Sequence, residues 1–404
     1  MTHVHFWFKE IKSSIRYGQK IDKRKKGFSM IYGAYSFLLI MVICILIVKF
    51  ESSGNLPPLK DQSKQEIEGS ISEKIWIEVN GLQQGMFIRS ENPRNPVLLY
   101  VHGGPGTPML QFISYLEKIK KPIALEKYFT VCYWDQRGSG MSYSRKTDAS
   151  SMTIETMVKD THEVTEYLKK HFEQNKIYLL GHSWGSYLGV KTIEQYPEDY
   201  FAYIGVGQIS NQKKSERLAY YYMMDHAKRI ADEETIATLK NFDPEEPLFP
   251  FIKEKGHQLD YLMARSNTLI KYGIGHLHEG LPEGLTFKSM VIKSLFSFKG
   301  YTISEKVKWF LGADFSMVHL FPVLLNDNLF VSSLSFDIPF YIVQGAYDYQ
   351  VSQDLAREYL GALDAPHKEF ILFENSAHSP NLEEPERFNL IMHKIDAQCR
   401  TQSN

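Results

Sequence analysis

The chain has 404 residues, 43% of them hydrophobic and 23% charged, which is enough apolar material for a large core and too much for global disorder. A formal net charge of −1 removes any whole-chain electrostatic case for a nucleic-acid or strongly acidic partner, so charge is informative only locally. Length alone points to two or three structural units.

The first local signal is at the start. Residues 1–27 carry Lys9, Lys12, Arg16, Lys20 and the cluster Lys23-Arg24-Lys25-Lys26 against only Glu10 and Asp22, and from Phe28 to Val48 no residue is charged. That run matches the ~20 residues a helix needs to cross a bilayer, and positive flanks stay in the cytoplasm. The expected layout is a cytoplasmic basic tail at 1–27, one transmembrane helix at 28–49, and everything beyond outside the cell. A cleaved secretory signal fits less well, because its apolar region runs to ~7–15 residues and Val48-Lys49-Phe50-Glu51 offers no small-x-small cleavage site. Cys44 in the span, Cys132 in an apolar run and Cys399 in the polar tail make no disulfide framework. A disulfide-free external domain suits a Gram-positive bacterial surface better than an animal secretory pathway.

Residues 50–74 are polar, contain Pro57-Pro58, and read as a stalk. Ile75 to Val79, then Asn80-Gly81, then Met86 to Ile88 predict a hairpin, since Asn-Gly tolerates the positive φ of a tight turn. Short apolar runs follow at Val97–Val101, Thr130–Trp134, Ile177–Leu180, Tyr203–Val206, Phe340–Val343 and Phe370–Phe373, with helical patterns between them. Such alternation means a mostly parallel sheet with helices on both faces. Ile154, Met157, Val158, Thr161, Val164, Leu168 and Phe172 have helical spacing, with Asp160 and Glu163 read as its solvated side. Between 207 and 335 strand-like runs stop and helical, aromatic pieces take over. The expected units are a core at 75–206, an inserted helical cap at 207–335 whose aromatics form chiefly its own core, and the rest of the core at 336–404.

Gly181-His182-Ser183-Trp184-Gly185 sits between the apolar run ending at Leu180 and a helical segment from Tyr187. A strand turning sharply into a helix presents the middle side chain at strained backbone angles and needs small flanking residues, so the motif predicts a nucleophilic Ser183 on an α/β-hydrolase sheet. A serine hydroxyl needs a base and an oriented carboxylate, in this fold in the order Ser, Asp or Glu, His. Asp348 follows the run ending at Val343, and His378 follows the run ending at Phe373. The developing oxyanion needs two donors; His102-Gly103-Gly104-Pro105-Gly106, at the end of the Val97 run, supplies the Gly104 amide, and Trp184, next after the nucleophile, supplies the other. His182, His276 and His278 read as structural, and no helix-borne His-Glu-x-x-His supports a metal. No cofactor is expected.

Three segments together, His102-Gly103-Gly104-Pro105-Gly106, Asp135-Gln136-Arg137-Gly138-Ser139-Gly140 and Gly181-His182-Ser183-Trp184-Gly185-Ser186, resemble the proline iminopeptidase (prolyl aminopeptidase) family of α/β-hydrolases. The likeness runs from about residue 75 to the end and is weakest in the cap. It implies the same triad roles for Ser183, Asp348 and His378, and release of an N-terminal residue, commonly proline, from short peptides. Members of that family hold the free amine with acidic side chains. Here the position after the triad Asp is Tyr349, Asp314 is the nearest match to an acid late in the cap, and His182 stands where glycine is often found.

The expected protein is a membrane-anchored serine aminopeptidase with a short peptide as substrate, one helix in the membrane and no nucleic-acid partner. An esterase or lactonase on the same fold stays open because Tyr349 removes one amine anchor. A catalytically silent ligand-binding surface protein is the third reading.

Overall fold

The computed structural model describes residues 52–61, 63–119, 125–246, 249, 260–278 and 287–402. The predicted basic tail and transmembrane helix lie outside these residues. The remainder, from Glu51 onward, is one compact unit.

Its frame is an eight-stranded sheet in the order β1-β2-β4-β3-β5-β6-β7-β8. The strands are β1 (Ile71–Val79), β2 (Leu82–Ser90), β3 (Val97–Val101), β4 (Thr130–Trp134), β5 (Ile177–His182), β6 (Tyr200–Val206), β7 (Phe340–Gly345) and β8 (Lys368–Phe373). β1 and β2 form the predicted hairpin, with Asn80 at φ 45° and Gly81 at φ 75° in the turn. β2 meets β4 antiparallel, and every later pairing is parallel.

The strands read as continuous apolar runs because both faces are covered. Val97, Leu99 and Val101 of β3 join one core cluster, while Leu98 and Tyr100 join the other, as the two-residue pleat requires. The first cluster is closed by α2 (Ile154–His171), α3 (Trp184–Gln195) and α10 (Gln353–Ala362), the second by α1 (Leu110–Ile119) and α12 (Pro385–Gln402). The cap contributes α4 (Gln212–Arg229), α5 (Glu233–Leu239), α6 (Asp260–Lys271), α7 (Phe287–Ser297), α8 (Ile303–Asn326) and α9 (Leu329–Ser332), while α11 (Pro380–Glu383) follows the β8 loop. Tyr220, Met223, Leu239, Phe249, Tyr261 and Leu269 form a separate cluster, the cap's own core.

α8 begins with a capping box, Thr302 and Glu305 each bonding the other's backbone N–H. The Glu305 carboxylate also holds Lys74 of β1 at 2.7 Å, a tie between the cap and the sheet edge. By length and mean hydropathy (1.2) α8 would pass for a membrane span. Its composition has another use here: Gly312 lies against the Gly138 carbonyl and Ser316 Oγ donates to it at 2.9 Å, so one face is packed on the core.

Three expectations are corrected. Residues 52–60 are not a free stalk: Gly54 N donates to Lys299 O at 2.9 Å, Ser72 Oγ donates to Pro57 O at 2.7 Å, Leu59 is buried, and the sheet begins at Ile71 rather than 75. Asp160 is not solvated but fully buried; Arg137 Nε and Nη2 grip its two oxygens at 2.6 and 2.9 Å, and Asn80 and Gln84 complete its partners. Glu163 is exposed, as expected. Cys399 belongs to no polar tail, being buried on the inner side of α12.

Candidate active site

Ser183 stands between β5 and α3 with φ 56° and ψ −121°, a conformation L-residues rarely adopt. Its backbone is fixed on both sides, Ser183 N donating to Val206 O at 2.9 Å and Ser186 N to Ser183 O at 2.7 Å. The flanking glycines are steric necessities: a Cβ on Gly181 would meet Gly185 O at 2.3 Å, and one on Gly185 would meet Val101 O at 2.0 Å. A side chain at either position would force the strand and helix apart.

His378 Nδ1 lies 2.9 Å from Asp348 Oδ2. The carboxylate is further held by Gln344 Nε2 at 2.7 Å and by the amides of Gln350 and Val351 at 3.0 and 2.9 Å, so both oxygens are committed and the imidazole is locked in orientation. His378 Nε2 makes no hydrogen bond within the described protein. It belongs to the cavity of about 330 Å³ that Ser183, Gly103 and Gly104 also line. Ser183 Oγ and His378 Nε2 share this cavity without a hydrogen bond between them.

The two predicted oxyanion donors come from different segments. Trp184 N is the first amide of α3, which no carbonyl of its own helix can satisfy and which carries the positive end of the helix dipole. Gly104 has φ 114°, and a Cβ there would meet the Thr107 amide at 2.8 Å. One side chain holds the two segments together: Gln136 Nε2 donates to His102 O at 2.9 Å, and Gln136 Oε1 accepts from Trp184 Nε1 at 3.1 Å. Gln136→Leu should lower kcat roughly 10–100-fold with little change in KM, less than deletion of a donor itself, in steady-state assays.

The neighbouring Asp135 accepts from Met141 N at 2.8 Å and from Tyr301 OH of the cap at 2.7 Å, and burial pushes its carboxyl up to about 7. For an acid whose folded pKa is raised, stability is present at low pH and lost as pH rises from about 4, the unfolded value, to about 7. Asp135→Asn keeps an acceptor and removes the charge. Its melting temperature relative to the parent should therefore be higher at pH 8 than at pH 5, by an amount reflecting about 3 kcal/mol, since about two pKa units separate pH 5 from the folded value of about 7, at ~1.4 kcal/mol per unit.

Histidines surround the triad. His102, its Nε2 facing Ser139 Oγ at 3.1 Å, and His182, its Nε2 donating to His378 O at 3.2 Å, are pushed down by burial to about 4 and about 3 and stay neutral struts. His276 lines the cavity with its ring centre 6.1 Å from that of His378, and burial drives its pKa down as well. His278 stacks on Tyr347 at 3.4 Å, away from the lining. The cap segment before these residues is bonded to the triad loops: Tyr349 N donates to Ile274 O at 3.1 Å and His378 N to Gly275 O at 3.0 Å.

Asp314 is exposed on the outer side of α8 and is not in the cavity wall. Tyr349 is also outside it, stacked on Tyr222 at 3.7 Å. The acid in the wall is Glu216 of α4, buried, held by Arg265 Nε at 2.7 Å and Gln212 Nε2 at 2.7 Å. Burial pushes its carboxyl up while Arg265 pulls it down. No motif marked this pair, because Glu216 sits among the other charged residues of α4 and Arg265 on a separate helix, with no local signature joining them. Much of the remaining wall is apolar, with Phe112, Met290, Trp309, Met317, Phe321 and Leu324 among its members.

The serine aminopeptidase S33 family matches residues 124–239. The Bacillus subtilis (strain 168) protein named "Probable aminopeptidase YbaC" is 34% identical over 319 residues, covering 79% of this chain and 94% of that protein. A proline iminopeptidase of Chitinophaga pinensis is 32% identical over 131 residues, 31% of this chain and 39% of the relative. Among solved structures, the proline iminopeptidase of Mycobacterium smegmatis superposes with a TM-score of 0.55 at 16% identity, over 82% of this chain and 100% of that one, a likeness of fold. The chain belongs to the S33 serine aminopeptidases of the α/β-hydrolase superfamily.

Proposed function

We propose that this aminopeptidase-like hydrolase releases an apolar N-terminal residue, proline or one like it, from short peptides through a Ser183 acyl-enzyme. One observation carries the reading: a single cavity contains Ser183, His378 and one carboxylate, Glu216, beside a large apolar portion of wall. His378 takes the Ser183 proton as the oxygen attacks the carbonyl carbon, the Gly104 and Trp184 amides receive the oxyanion, and His378 returns the proton to the leaving amine. Water then repeats the cycle on the ester. A carboxylate has about four acceptor positions, and Arg265 and Gln212 occupy two on Glu216, which leaves acceptors for a substrate ammonium.

The esterase or lactonase reading is supported by the same pair seen differently. Arg265 already balances the Glu216 charge, so the pocket carries no net charge to attract an amine. Prolyl and alanyl arylamides, free and N-acetylated, separate the two. Acetylation should lower kcat/KM at least 100-fold, and Glu216→Gln should raise KM for the free-amine substrate; equal rates with blocked and free amines would reject amine recognition.

Residues 1–49 support a membrane anchor with its N-terminus in the cytoplasm and the hydrolase outside, on a Gram-positive cell. Protease added to intact protoplasts should remove the hydrolase from membranes.

A further inference from the structure

Exposed apolar residues on the cap are not scattered. Ile303, Val307, Phe310, Leu311 and Val318 of α8, between 38 and 54% exposed, recur at helical spacing along one outward stripe, and Ile292 and Phe296 of α7 lie beyond its start. Lys306 Nζ, donating to Phe296 O at 2.7 Å, joins the two helices there. Isolated exposed apolar side chains are ordinary, but a contiguous stripe on one element marks a covered surface.

The position of the chain's beginning says what covers it. Ser53 bridges to Thr302, the N-cap of α8, and Gly54 is hydrogen-bonded to Lys299, so the described chain starts one residue from the first member of the stripe, Ile303. In sequence, the uncharged run of Phe28 to Val48 ends only four residues before Ser53. Fully extended, that link reaches at most about 18 Å, at ~3.3–3.6 Å per residue. If the run crosses the bilayer, Ser53 is held within that distance of its end, and its bridge partner Thr302 only one strand spacing further. The rim has the composition of a membrane interface, with Trp76 exposed beside Lys308, whose Nζ is 6.0 Å from the ring centre, and with Lys118 and Lys293 exposed.

We propose that the outward stripe of α8, with Ile292 and Phe296, rests on the lipid bilayer. This rests on the anchored reading of residues 28–49. Asp314 lies within the stripe, which sets the contact at headgroup depth rather than in the hydrocarbon. Trp309 on the buried side of α8, and Met317, Phe321 and Leu324 in its last turns, line the cavity, so the same helix would contact lipid and substrate.

The full chain, reconstituted in phosphatidylglycerol–phosphatidylethanolamine liposomes, is labelled with a lipid-dissolved diazirine carbene probe and mapped residue by residue by mass spectrometry. The expected result is label at 28–48 and at Ile303, Val307, Phe310, Leu311 and Val318, at least fivefold above Met263 and Val331, which are more exposed than any of them. The double variant Val307→Glu/Leu311→Glu should lose the α8 label fivefold or more while keeping the label at 28–48 and its activity on a soluble arylamide. Label at 28–48 without label on α8 would overturn this inference and leave the anchor standing, whether the stripe is then covered by a second copy or by the apolar run itself. Label as strong on Met263 and Val331 as on α8 would also overturn it. Absence of label at 28–48 would overturn the anchored reading and the inference with it.

Discussion

Ser183→Ala should abolish turnover, with kcat/KM falling about 10⁴–10⁶-fold and the melting temperature unchanged within a degree or two. The structure separates these two effects. The Ser183 side chain makes no capping hydrogen bond to α3, so its removal costs the fold little, and alanine suffers the same strain at φ 56° that serine does. Asp348→Asn should approach a 10⁴-fold loss, because the amide presents one oxygen where the carboxylate serves Gln344, His378 and two backbone amides with two. A fluorophosphonate probe should label the parent protein and fail on Ser183→Ala. Residual activity above 1% in that variant would mean that another nucleophile does the chemistry.

Arg137→Met should be the most damaging single change outside the cavity, costing about 3–5 kcal/mol, because it strands the Asp160 carboxylate in the core. At ~2.1 cal/mol/K per residue the unfolding entropy of a unit of this size is roughly 0.7 kcal/mol/K, so the melting temperature should fall by about 4–7 °C. Asp160→Leu combined with Arg137→Met should recover most of that loss, since the penalty comes from the unpaired charge and not from the absent bond. Differential scanning calorimetry on the two single variants and the double variant gives the coupling directly.

That ion pair also shows where the sequence stops being legible. The strands could be read because each is a short apolar run buried on both faces, and the nucleophile turn because backbone collisions dictate its glycines at 181 and 185. The meeting of Asp348 and His378 could be read because each follows a strand end, and the sheet brings those two loops together. Asp160, in contrast, lies at the edge of the apolar face of α2, and its burial depends on a guanidinium arriving from the loop after β4. The pairing of Glu216 with Arg265 likewise joins two cap helices with no local signature between them. Asp314 matched an expected acid by position along the chain, yet its place on α8 turns it outward, because the turns before and after it are used to pack Trp309, Ser316 and Leu320. Residues 52–60 read as a stalk because they are polar, although the backbone of that stretch is tied to Lys299.

The backbone bonds from Ile274 and Gly275 to Tyr349 and His378 act as an interlock. A bulky polypeptide that pried the lid away would pull on the loop carrying the proton acceptor at the moment it gained entry, and so disarm the machinery it had reached. Under the proposed function, only guests small enough to fit beneath the cap would leave that loop in place, a mechanical preference for short peptides over folded proteins.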